Sequence, residues 1–120
     1  MKLFKASDIK LEKTNNNFFT GEVLRGPFLP PGESEDFVMG VVSYPKGVRN
    51  KFHTHDGDQI LIATAGEGIV ATMEEQWRLS AGDIICIPAG LNHWHGASDE
   101  SEFSHLAIVR AGDKLTQTED

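Results

Sequence analysis

From residue 37 onward a turn signal interrupts the chain about every eight to twelve residues, a spacing too tight for helices of ordinary length and well matched to strands. The breaks are Pro45-Lys46-Gly47, Asp56-Gly57-Asp58, Gly66-Glu67-Gly68, Glu74-Glu75, Ser80-Ala81-Gly82-Asp83, Pro88-Ala89-Gly90 and the polar stretch 98–102. Between them lie short runs rich in β-branched and apolar residues: 37–44, 49–55, 59–64, 69–73, 76–79, 84–87, 92–97 and 103–109. Upstream, residues 18–24 read as a further strand. Residues 26–35 carry three prolines and read as a loop, placed either over a barrel mouth or against a neighbouring subunit. Residues 1–17 suit a short strand or helical turn followed by an Asn-rich loop, and 111–120 form a polar tail whose last residues, 114–120, are expected to fray. The whole predicts an all-β sandwich or barrel, without internal repeat or low-complexity segment.

A length of 120 residues sets one domain, 1–120, with its barrel core at about 37–110. Hydrophobic residues make up 39% and charged residues 24%, as in ordinary globular proteins. No apolar run reaches the length of a membrane span, and the first residues lack the apolar centre of a secretion signal, so a cytoplasmic protein is expected. The net charge of -7, with basic residues scattered, argues against nucleic acid as a partner. The single cysteine, Cys86, sits in the run Ile84-Ile85-Cys86-Ile87 and is expected to be a buried small hydrophobe.

The chemistry concentrates in the histidines. Four of the five fall in two His-X-His pairs, His53-Thr54-His55 and His93-Trp94-His95, and the fifth is His105. Residues two apart on a strand share a face, so each pair aims both imidazoles to one side of a sheet. Imidazole is the commonest metal ligand near neutral pH. Gln59, opening the next strand after a three-residue turn, can offer its side-chain carbonyl to the same point, and His93 can arrive by antiparallel pairing across a barrel. The ligand chemistry is nitrogen and oxygen without sulfur, suited to Mn, Fe, Ni, Co or Zn as a divalent ion and selecting none of them. His95 shares a face with His93 and could orient a ligand. His105 lies on an apolar stripe with Phe103, Ala107 and Val109, either as a satisfied core residue or as a pocket residue. Arg49 could steer an anionic substrate, although a solvated arginine is the plainer reading.

The spacing of glycines and proline around these residues resembles the paired motifs of the cupin superfamily. The first runs Gly47, five residues, His53-X-His55, three residues, Gln59, six residues, Gly66; the second runs Gly82, five residues, Pro88-X-Gly90, two residues, His93. The resemblance implies a cupin jelly-roll β-barrel in which His53, His55, Gln59 and His93 are the metal ligands. It departs from the family pattern at Gln59, where glutamate is usual. A neutral amide leaves more of the ion's charge uncompensated, which strengthens its Lewis acidity and weakens its binding; the alternative is a decayed site. Residues 18–23, His53–His55 with Gln59, residues 93–97 and residues 104–108 resemble a narrower group related to carboxymuconolactone-decarboxylase-associated cupins and manganese-dependent cupin hydroxynitrile lyases. That group implies that His105 faces the metal pocket, and cupins generally imply a homodimer or higher homo-oligomer paired through N-terminal strands such as 18–24. The reaction stays open between a lyase on a small-molecule substrate, with His105 and His95 as candidate catalytic residues, an iron-dependent dioxygenase, and a non-enzymatic sensor or binding cupin.

Overall fold

The computed structural model describes residues 1–120: ten strands and one 3-10 turn, Ala6–Asp8. The strands are β1 (Glu12–Thr14), β2 (Val23–Pro27), β3 (Phe37–Tyr44), β4 (His53–His55), β5 (Gln59–Ala71), β6 (Gln76–Ser80), β7 (Ile84–Ile87), β8 (Trp94–Ala97), β9 (Phe103–Arg110) and β10 (Leu115–Gln117). All pairs are antiparallel, and the main sheet runs β1-β2-β3-β9-β5-β6, with β7 and β8 also paired to β5. The expected all-β barrel is what forms, and no helix is long and apolar enough to cross a membrane.

The barrel curls about β5. Its first half pairs with β7 and β9, its second with β6 and β8. The sequence predicts two strands, 59–64 and 69–73, separated by a turn at Gly66-Glu67-Gly68. Instead the strand continues through that point, with a bulge in its pairing to β9 between Ala63 and Ala65. An extra residue bends a strand without ending it. The bulge also swaps the buried face: Gln59, Leu61 and Ala63 point inward before it, Gly68 and Val70 after it. Gly66 adopts φ 71°, and a Cβ there would lie 1.8 Å from the carbonyl oxygen of Glu102. Backbone conformation and close approach therefore both demand glycine.

The apolar half of the interior includes Val23, Tyr44, Leu61, Val70, Leu79 and Phe103. Phe103 is fully buried, stacked on Tyr44 at 6.3 Å between ring centroids and pressed against Gly68, where a Cβ would meet its ring at 2.5 Å. Burying such a ring contributes about 1.5–3 kcal/mol. The other half of the interior is polar, and all five histidines are buried in it.

Several expectations are corrected. Cys86 is exposed. Its strand alternates: Ile85 and Ile87 pair with the inward Leu61 and Gln59, while Cys86 pairs with the outward-facing Ile60. An unbroken apolar run does not reveal which residues face out. The strand expected at 18–24 begins at Val23 and continues through Gly26 and Pro27, residues that the sequence assigns to the loop. Phe19 is buried instead, in an isolated bridge to Asn50, so the segment proposed for pairing subunits is partly spent on the core. Residues 49–55 form a regular strand only at β4. The turn at Asp56-Gly57-Asp58 does not close a hairpin, because β4 pairs with β10 rather than β5. The tail expected to fray is thus strand β10, followed by Glu119, whose carboxylate accepts two hydrogen bonds from Arg49 at 3.0 Å each. Arg49 also lies over the Trp94 ring at 4.8 Å; it is half-buried, with its charge paired to Glu119.

Candidate metal centre

His53 and His93 meet through their backbones. Each N–H donates to the other's carbonyl, at 2.9 and 3.1 Å, in an antiparallel bridge. This cross-barrel pairing, anticipated from the sequence, sets the imidazoles 4.3 Å apart between centroids. His55 follows on the same face of β4, its ring 5.2 Å from that of His53. One ligand atom from each of the three histidines lies within 4.8 Å of the others, and all three residues are buried.

The hydrogen bonds choose the tautomers. Nδ1 of His53 donates to the Lys51 carbonyl at 2.7 Å, and Nδ1 of His93 donates to the Leu91 carbonyl at 2.8 Å. Nδ1 of His55 donates to the Asp113 carboxylate. With Nδ1 committed, Nε2 carries the lone pair in each ring. Burial, followed by the neighbouring His93, lowers the pKa of His53 to about 3; burial likewise lowers that of His93. Both are neutral near pH 7, the state a metal requires.

Nε2 of His55, Nε2 of His93 and Oε1 of Gln59 are buried without any partner. Such groups are costly in a folded protein unless something satisfies them. Gln59 starts β5 on its inward face, directly after the turn that leaves His55. The three grouped histidines, with unpartnered atoms on His55 and His93, fit a divalent cation, and nitrogen and oxygen donors suit any of the transition metals named above.

His95 and His105 lie beside this group, in a second polar cluster. The His95 ring is 5.5 and 5.6 Å from those of His53 and His93, and 5.0 Å from that of His105. His95 makes no hydrogen bond to the three grouped histidines, whose Nδ1 atoms are held by Lys51, Leu91 and Asp113. The Tyr44 hydroxyl lies 3.2 Å from His95 Nδ1 and 3.2 Å from His105 Nε2, and Asn50 Oδ1 accepts the His95 backbone N–H at 2.8 Å. Burial raises the Tyr44 pKa, so the phenol keeps its proton and can donate to one imidazole while accepting from the other. Burial lowers His95 well below its ordinary value and His105 to about 4. His105 is wholly buried, with Nδ1 unpartnered.

A cleft of about 500 Å³ opens along β6 and β7 and reaches His93. Trp77, Leu79, Ile85, Ile87 and Leu91 are among the residues that line it. Its two charged lining residues are engaged: Arg78 pairs with Glu67, and Asp83 accepts the Ser80 N–H at 2.8 Å. The size is that of a small-molecule pocket.

Tyr44, Asn50 and Asp113 were not singled out by sequence reasoning. Tyr44 is the last residue of an apolar strand and Asn50 one polar residue among several. Asp113 lies in the stretch read as a tail, and nothing local distinguishes it.

A curled antiparallel barrel with three buried histidines grouped on β4 and the segment facing it defines a class of β-barrel proteins with an interior candidate metal site. The chain belongs to the cupin family: the family model described as "Cupin domain" matches residues 40–109. It is 33% identical over 96 residues to an (R)-mandelonitrile lyase of Granulicella tundricola, covering 77% of this chain and 71% of that one. It is 37% identical over 65 residues to an acireductone dioxygenase of Frankia alni, covering 51% of this chain and only 32% of that protein's length. Among solved structures, a cupin-like protein of Thermotoga maritima superposes with a TM-score of 0.83 at 28% identity, over 90% of this chain and 84% of that one.

Proposed function

We propose that His53, His55, Gln59 and His93 hold one divalent transition metal, and that the protein is a lyase-type enzyme acting on a small organic substrate, as a hydroxynitrile lyase does. The observation that carries this reading is the set of buried, unpartnered atoms His55 Nε2, His93 Nε2 and Gln59 Oε1. The similarity to a mandelonitrile lyase over most of both chains supports the reaction class. Bound there, the ion would supply Lewis acidity toward a substrate oxygen. The protein's own residues divide the remaining work. His105 and His95, held neutral by burial, accept and return a proton. The Tyr44 hydroxyl, between them, holds their ring orientations. The cleft beside His93 takes the apolar part of the substrate against Trp77, Ile85 and Leu91. Because Arg78 and Arg49 are both ion-paired, the reading favours a neutral substrate over an anionic one.

The test is cleavage of mandelonitrile to benzaldehyde and cyanide by protein purified without a histidine tag, after its metal content is measured. Turnover abolished by a chelator and restored by Mn, Fe, Co, Ni or Zn supports the proposal. Absence of both metal and turnover in every reconstituted sample sinks it. The second reading, an iron-dependent dioxygenase, draws on the similarity to an acireductone dioxygenase. It predicts iron as the bound metal and substrate-dependent oxygen uptake.

A further inference from the structure

We infer that Asp113 is the charged positioning residue of the metal centre, supplying through His55 the negative charge that Gln59 does not. The inference rests on the reading that His53, His55 and His93 hold a metal. Two of these rings are oriented by neutral backbone carbonyls, those of Lys51 and Leu91. Only His55 donates to a carboxylate, at 2.5 Å from Nδ1 to Oδ2 of Asp113.

The carboxylate is built into place. The two side chains retain 8% and 6% of their exposure, so solvent screens the pair little. The other oxygen, Oδ1, accepts the Gly57 N–H at 3.0 Å. The Asp113 N–H donates to the Arg110 carbonyl, and the next residue, Lys114, donates its N–H to Asp56 Oδ1 at 2.9 Å. Strand β10 then pairs residue by residue with the ligand-bearing β4, Leu115 opposite His55 and Gln117 opposite His53.

No lysine or arginine pairs with this carboxylate. Arg110 pairs with Asp56 and Arg49 with Glu119, and the one ion-pair partner of Asp113 is His55. A buried carboxylate is stable only where positive charge or hydrogen bonds compensate it. A metal on Nε2 of that imidazole places positive charge behind the ring and strengthens the Nδ1–H donor. The ledger of charge agrees. Three neutral imidazoles and an amide leave a divalent ion at +2, and one carboxylate at one remove brings the site to +1. A glutamate at position 59 would do the same directly.

The experiment measures Mn²⁺ and Zn²⁺ affinity by chelator competition for wild type, Asp113→Asn, Gln59→Glu and the double variant, with metal-free melting curves recorded first. Asp113→Asn is expected to weaken binding about 10–100-fold. Gln59→Glu is expected to recover most of that loss in the Asp113→Asn background and to gain less in the wild-type background. A purely structural role of Asp113 would lower the melting temperature of the metal-free protein without this non-additive rescue. Equal affinity of Asp113→Asn and wild type overturns the proposal, as does the same gain from Gln59→Glu in both backgrounds. Should Asp113→Asn fail to fold, ¹⁵N NMR of the wild-type imidazoles without metal decides. Protonated Nδ1 on His55 is expected, and protonation at Nε2 with Nδ1 bare overturns the proposal. Wild type that binds neither ion removes the metal reading and this one together. Wild type that binds while Asp113→Asn binds equally removes this one alone.

Discussion

At the scale of single residues, His93 shows how the candidate ligand atom and the scaffold are separable. Its bridge to His53 uses backbone atoms, which alanine keeps, while its Nε2 is among the unpartnered atoms of the site. His93→Ala is therefore expected to fold, at a cost of about 1 kcal/mol for the lost bond to the Leu91 carbonyl, and to lose nearly all bound metal. Circular dichroism and metal analysis on the same sample check both halves; an unfolded variant would mean that the metal holds the barrel together. His105 predicts the opposite pattern. It is not among the grouped ligands, so His105→Ala should retain the metal and lose most turnover, by a factor of about 10²–10⁴ if it moves a proton in the slow step. Loss of metal from that variant would make it a ligand or a support for one. The His-X-His pairs were legible in the sequence because period-two alternation is a local property. Tyr44, Asn50 and Asp113 were not, because each acquires its role from a histidine 45 to 61 positions away.

Among the elements, β5 carries the architecture and its bulge makes that possible. The sequence marked Gly66 as a turn, and the chemistry behind that reading was sound, since the residue has positive φ. What it could not supply is the partner: the Glu102 backbone lies so close that the strand stays paired on both sides of the irregularity. Gly66→Ala combines a left-handed backbone with a collision against main chain, and a loss of about 2–4 kcal/mol is expected in urea unfolding. A loss below ~1 kcal/mol would show that the bulge relaxes freely, which close packing argues against. The polar stretch 114–120 is ordered for a similar reason. Composition predicts fraying for an isolated segment, but an unpaired edge on β4 offers it a ladder.

For the molecule as a whole, burying His53, His93, His95 and His105 inside a small barrel couples stability to pH. Burial holds His105 at about 4 against an ordinary 6.5. Between those values the unfolded chain binds a proton that the native protein refuses, so stability is complete above about pH 6.5 and falls as pH drops toward 4. Metal-free wild type should lose about 2 kcal/mol more than His105→Gln between about pH 7 and pH 4.5, measured by urea unfolding. Equal losses would mean that His105 is already protonated in the fold or exchanges with solvent. The all-β class and the side of the barrel that bears the chemistry could be read from turn spacing and histidine placement. The assignment of β4 to β10, on which Asp113 depends, is a long-range choice that no local pattern encodes.

The pairing of β4 with β10 also orders events in time. Asp113 lies 58 residues beyond His55, so the histidine strand leaves the ribosome long before its hydrogen-bonding partner exists. Pairings of this separation form slowly, because loop closure precedes any reward. During synthesis His53 and His55 therefore precede the strand that pairs with them, and any ion the proposed site takes could reach them before that strand docks. If the proposed centre holds a metal, the ion it takes then reflects the ion supply at the moment residues 113–117 dock as well as the geometry of the finished site. Refolding the purified chain in mixtures of metals would give occupancies that depend on the order of addition.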